Sequence, residues 1–192
     1  SNLDWGFNKH PPMSAFFLEV FYKIFGSQDW AYYLLSQLFV VIAFYYVFKF
    51  ANEILGSISL ALISILLLSS IYFYNFTTPE FNVNVCQLPF CSTVVYYFWR
   101  IYDSKVIKLS DCLLVGIFAA IGFLSKYLFI YLLLSVDLLF IYLIFFKKTK
   151  KFDFKYLITL EVFLVLLVPH FIWLYDNEFI TIFYGLKRTG LE

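Results

Sequence analysis

The chain is short of charge. Only 14% of its 192 residues are Asp, Glu, Lys or Arg, where a soluble domain carries about 25%. That deficit leaves too little polar surface to face water on every side. Cysteine is scarce as well. Cys86, Cys91 and Cys112 form no CxxC pair, and no Cys/His set has zinc-ligand spacing. Each reads as a small apolar packing residue. No P-loop, dinucleotide-binding turn, GxSxG elbow or HExxH helix is present, and no internal repeat stands out. The net charge of +1 comes with no basic surface pattern. The abundant aromatics therefore do not point to nucleic acid.

Apolar length is what the chain has instead. Hydrophobic residues make up 62% of it, aromatics 24%, and the mean hydropathy is +0.83. The expected class is all-α, a polytopic transmembrane helical bundle of about six spans. The apolar stretches are Trp30–Phe50, Ile54–Phe76, Leu88–Tyr102, Leu109–Leu124, Tyr127–Phe146 and Tyr156–Tyr175. A spanning helix needs about 20 residues, so the third and fourth are short. "GFLSKY" interrupts the fourth and fifth, and a lysine in mid-bilayer costs several kcal/mol. A tight hairpin at Gly122–Lys126 explains it. One kinked helix with a re-entrant piece is the alternative.

Cation placement gives an orientation. With the amino terminus outside the cytoplasm, Lys49, Arg100, Lys105, Lys108, Lys147, Lys148, Lys150, Lys151 and Lys155 lie inside, 9 of the 14 Lys and Arg. Lys9, Lys23, Lys126, Lys187 and Arg188 lie outside, and the positive-inside rule favours this choice. Residues 1–192 then form one membrane domain. Residues 1–29 make an outer loop and interfacial helix, 30–175 the spans, and 176–192 an outer-face segment. "WGFNKHPP", "TTPEFNVN", the Ser125–Lys126 hairpin and "PHFIWLYDNEF" all fall on the outer face.

"PPMSAFFLEVFYKIFG" reads as a helix lying in the membrane interface. Pro11 and Pro12 suit its start, where early N–H groups lack partners. Glu19 and Lys23 stack four apart, and Gly26 suits the stop. An ordinary amphipathic connector is the plainer reading.

Lys9 and His10 precede the prolines, which stiffen their backbone. Such a pair can grip a phosphate, Lys as a point charge and His as a donor. It can equally serve as an interfacial anchor. Glu80, Asn82 and Asn84 lie at the mouth of two spans, and Glu80 and Asn82 stand two apart, on one side of an extended loop. They can hydrogen-bond sugar hydroxyls, or simply be solvated. His170 sits near the outer end of the last span, before Asp176, Asn177 and Glu178. A histidine in a span is a site candidate by default. Asp137 is another, with helix packing as its alternative role.

Four segments in this order, "LDWGFNKHPPMSAFF", "TPEFNVNVCQLPF", "GIFAAIGFLSKYLFIYLLL" and "PHFIWLYDNEF", resemble the GT-C glycosyltransferases of family 39. The likeness spans nearly the whole chain. It is strongest to the bacterial branch related to the dolichyl-phosphate-mannose–protein mannosyltransferases, the aminoarabinose transferases and the rhizobial galacturonosyltransferases. It implies a GT-C-like membrane enzyme in a bacterial inner membrane, with its active face periplasmic or extracellular. Such an enzyme moves a sugar from a polyprenyl-phosphate donor to a lipid or surface-glycan acceptor, among membrane lipids and without nucleic acid. The resemblance places Lys9 and His10 at the lipid phosphate, joined by Lys126. Glu80, Asn82, His170, Asn177 and Glu178 then shape the sugar or acceptor site.

Two departures stand out. The aminoarabinose enzymes carry Glu-Lys before their prolines where this chain has Lys-His. A divalent metal is therefore left open, with no ligand assigned and no certain cofactor. The family's catalytic carboxylate, in an Asp-x-Ala-Glu-like loop, belongs upstream of Ser1. The chain is thus expected to be a fragment whose catalytic residue lies outside it. The rival expectation is a non-catalytic polytopic membrane protein, such as a transporter, a lipid-binding protein or an accessory subunit.

Overall fold

The computed structural model describes residues 4–149 and 151–188. Lys150, part of the basic loop, lies outside the described residues. Among those described there is no strand, and the helices pack on one another as a bundle.

Helix α1 (Met13–Phe25) follows Pro12 and stops at Gly26, whose N–H bonds Tyr22 O. Its Glu19 and Lys23 pair at 3.5 Å. Helix α2 (Asp29–Leu55) is the first long apolar helix. The Ile54–Phe76 stretch does not continue it as one straight span. Gly56 takes a left-handed conformation (φ 62°) that a side chain rarely adopts, and it caps α2. Ser57 then caps a new helix by accepting from Leu60 N–H. This is α3 (Ile58–Ser69), about 18 Å long at 1.5 Å per residue. A further turn, α4 (Tyr72–Phe76), follows, and the Asn75 amide bonds Ser69 O. Hydropathy is uniform across this break, so it is invisible to a span search.

Helix α5 (Val83–Asp103) starts five residues before the expected Leu88. Asn82 caps it, accepting from Asn84 and Val85 N–H at 2.9 and 3.2 Å. Its sequence is less apolar than its neighbours' because protein surrounds it. It packs chiefly on α2 and on α6 (Leu109–Ser125), and α6 packs on α8 (Lys155–Asp176). Along the chain, α6 and α8 are separated by α7 (Ile130–Ile141), opened by a 3-10 turn at Tyr127–Phe129 and closed by a π-helical turn at Tyr142–Phe146. A last helix, α9 (Ile180–Arg188), follows α8.

The "GFLSKY" break is sharper than a five-residue hairpin. Gly122 through Ser125 stay helical, and only Lys126 is extended (φ −161°) before the next helical turn. Gly122 serves packing there, since a Cβ on it would meet the Phe129 ring at 2.4 Å. By length and composition, three helical segments among the described residues can cross a membrane: Asp29–Leu55, Tyr127–Phe146 and Lys155–Asp176. The apolar helices α3 and α6 are shorter.

The core runs through the bundle axis, from Leu35, Phe39 and Val40 to Val85, Phe90, Val94, Val115 and Phe129. Outward faces of α2, α3, α7 and α8 expose large apolar side chains, as lipid-facing helices do. The two ends differ. At one, Tyr96 Oη donates to Glu53 at 2.8 Å, Arg100 pairs with buried Asp111 at 3.4 Å, and Lys155 Nζ donates to Ile107 O at 2.9 Å. Most of the cations gather there. The other end carries residues 4–12, α1, the Thr78–Asn82 loop, Lys126 and the end of α8.

Candidate functional site

At that second end, the amino-terminal segment is strapped to the last two helices. Phe7 N–H donates to His10 O at 3.1 Å, closing a turn ahead of the prolines. Pro11 is buried. Gly6 lies flat on Trp173, where a Cβ would stand 2.2 Å from a ring carbon. Only glycine allows that approach. Trp5 packs edge-on against Phe16 of α1 at 5.3 Å.

His170 is the centre of the strap. It is fully buried, and Trp173 stacks over it at an interplanar angle of 9°. Its Nδ1 lies 2.5 Å from Trp5 O and its Nε2 lies 2.7 Å from Tyr127 Oη. A carbonyl only accepts, so Nδ1 carries the proton. In the neutral ring Nε2 then accepts from the tyrosine. A second tie runs beside the first, with Thr181 Oγ1 donating to Phe7 O at 2.7 Å. Both nitrogens of His170 are thus used within the protein.

Lys126 is the best-positioned cation. It is half-buried, and its Nζ donates to Asn84 Oδ1 at 2.5 Å. That bond links the α6–α7 turn to the first turn of α5. An ammonium has three donors, so two remain for other partners. Beside it, Cys86 Sγ–H donates to Ser125 Oγ at 3.2 Å.

The Thr78–Asn82 loop is held from two sides. Thr78 O accepts from Ser36 Oγ and Gln37 Nε2 of α2 at 2.5 and 3.2 Å, and Asn82 Nδ2 donates to Glu80 O at 3.2 Å. Glu80 joins Leu18, Asp29, Tyr32, Tyr33 and Phe81 around a cleft of about 330 Å³. Asn82 itself is committed to capping α5.

The remaining expected residues are more open. Lys9 is exposed, with its Nζ 5.9 Å from the centre of the Tyr184 ring. His10 is half-buried. Asn177 Nδ2 donates to Trp173 O at 2.8 Å, and exposed Glu178 follows with a positive φ of 53°. The same end of the bundle therefore gathers all eight expected residues. Within the set, Asn82 Nδ2 bonds the Glu80 main-chain carbonyl. Among the described residues, no three His, Cys, Asp or Glu side chains come together as a metal site.

Sequence reasoning missed Tyr127 and Thr181, and it placed Asn84 at the mouth of two spans without finding its bond to Lys126. Asn84 had a weak signal, being polar in the first turn of an apolar helix. Tyr127 and Thr181 had none, since each reads as ordinary for its segment.

No curated protein and no solved structure matches the chain. A family model, described as dolichyl-phosphate-mannose-protein mannosyltransferase, matches residues 9–173. That range runs from Lys9 through the strap's histidine to Trp173. With an all-helical membrane bundle carrying it, the chain belongs to this family of membrane glycosyltransferases.

Proposed function

We propose that the protein transfers a sugar from a polyprenyl-phosphate-linked donor to a lipid or cell-surface glycan acceptor. The site is the strapped end of the bundle, on the outer face of a bacterial inner membrane. The single observation that carries this reading is Lys126. A half-buried ammonium, aimed by Asn84 at the junction of α5, α6 and α7, offers two free donors beside the membrane. Donors fixed before the reaction stabilise charge as it develops on a leaving phosphate.

In this reading the lipid phosphate departs toward Lys126, with Lys9 and His10 at the rim. Glu80, Asn82, Asn177 and Glu178 line the polar approach of sugar or acceptor. His170 acts as a positioning residue that holds the rim down through Trp5. The acceptor hydroxyl loses its proton to a carboxylate acting as general base.

The test is sugar transfer by membranes carrying the intact gene product, supplied with polyprenyl-phosphate hexose. Lys126→Gln keeps a donor to the junction but removes the charge. It should lower kcat by 100-fold or more, in line with loss of one preorganised charge donor, roughly 10²–10³. Unchanged transfer in Lys126→Gln, Lys9→Ala and His10→Ala would refute the phosphate assignment.

A transporter or lipid-binding role is the second reading, and Asp137 supports it. This carboxylate of α7 lines a cavity of about 160 Å³ with Tyr156 and Thr159. Loss of solute uptake by reconstituted vesicles on Asp137→Asn would favour that reading.

A further inference from the structure

The opposite end of the bundle holds a cleft that the transfer reaction does not use. It has a volume of about 470 Å³ and lies between the α5–α6 connection and the segment entering α8. Lys105, Lys151 and Lys155 line it, against one carboxylate, Asp153. Asp153 is already engaged, since its Oδ1 accepts from Lys155 N–H at 2.9 Å. Lys155 Nζ is anchored on Ile107 O at 2.9 Å. Lys105 and Lys151 are exposed, and among the described residues neither makes a hydrogen bond or ion pair. The cleft thus presents three ammonium groups with most of their donors unspent.

Its surroundings say what kind of ligand fits. Helices α5, α6 and α8 begin or end here, beside the π-helical turn that closes α7, and the segments holding α7 and α8 can each cross a membrane, so the cleft sits at membrane-surface depth. Val106, Phe152 and Phe154 flank it, 74%, 51% and 78% exposed. Large apolar side chains beside lysines match a ligand with an anionic head and an apolar body. A free anion would gain nothing from them.

We propose that this cleft binds a phosphate group presented by an anionic phospholipid. The lysines take the phosphate oxygens, and the flanking aromatic and aliphatic side chains take the upper acyl chains. Bound lipid then bridges the α5–α6 connection to the start of α8.

Native mass spectrometry of the detergent-solubilised chain tests this, with phosphatidylglycerol and phosphatidylcholine titrated separately. The expected result is preferential retention of phosphatidylglycerol. A lysine at an anionic surface is worth roughly a factor of five in affinity, so Lys105→Gln with Lys151→Gln should weaken retention about 25-fold. Lys105→Arg with Lys151→Arg should retain it. Lys147→Gln with Lys148→Gln removes equal charge outside the cleft and should change it much less. Equal binding of the two lipids, or equal losses in the two glutamine pairs, would overturn the proposal. Displacement by millimolar inorganic phosphate would keep a phosphate site and overturn its lipid source.

Discussion

Replacing Tyr127 by phenylalanine isolates the strap at a cost of one oxygen atom. The change removes the donor to His170 Nε2, which lies 2.7 Å away. The ring stays buried beneath Trp173, so water does not replace the lost partner. Leaving a buried acceptor unsatisfied costs about 1–3 kcal/mol, more than the net worth of the bond itself. His170 also holds Trp5 O, so the cost falls on the closed state of residues 5–8. With tenfold per 1.4 kcal/mol, local opening should rise about 5- to 150-fold. Hydrogen exchange of the Phe7 amide reads this directly, because that N–H bonds His10 O inside the strapped turn. Tyr131→Phe, one helical turn on and 66% exposed, is the control and should change nothing. If Phe7 exchanges at the same rate in Tyr127→Phe, His170 does not fasten the amino-terminal segment.

Three further perturbations probe the frame. Gly116→Ala would put a Cβ 2.7 Å from Thr159 O, where α6 and α8 touch; it should cost about 1–3 kcal/mol, read as a lower Tm in detergent. Arg100→Met strands Asp111, which is 5% exposed, and should cost about 3–5 kcal/mol, while adding Asp111→Leu should recover most of it; denaturant titration of the three proteins decides. Asn82→Ala removes the cap of α5 and should cost about 1 kcal/mol, whereas Asn82→Asp keeps it; the helical signal in circular dichroism on heating separates them.

Some of this could be read from residues alone. The prolines and Gly26 bounded α1, and its Glu19–Lys23 pair forms as their spacing requires. The stretches Tyr127–Phe146 and Tyr156–Tyr175 match helical segments almost residue for residue. The α2–α3 break stayed hidden because a single left-handed residue at Gly56 does not change the hydropathy around it. The start of α5 was missed for the opposite reason. Asn84 looks like a loop residue, yet in the bundle its amide oxygen accepts from Lys126. His170 was visible as a rare histidine in a span. What it does was not, because Trp5 and Phe7 contribute main-chain carbonyls, and every residue has one.

The strap joins residues 165 and 174 positions apart. A ribosome adding about 5–20 residues per second needs roughly 8–35 s to supply the second partner after the first. During that interval Trp5, Phe7 and the proline turn wait at the membrane surface with no wall to lie against. The site therefore completes last, and only once α8 and α9 have emerged and docked. Any delay in inserting the carboxyl-terminal helices becomes time during which the lysine and histidine of the first turn stand unplaced.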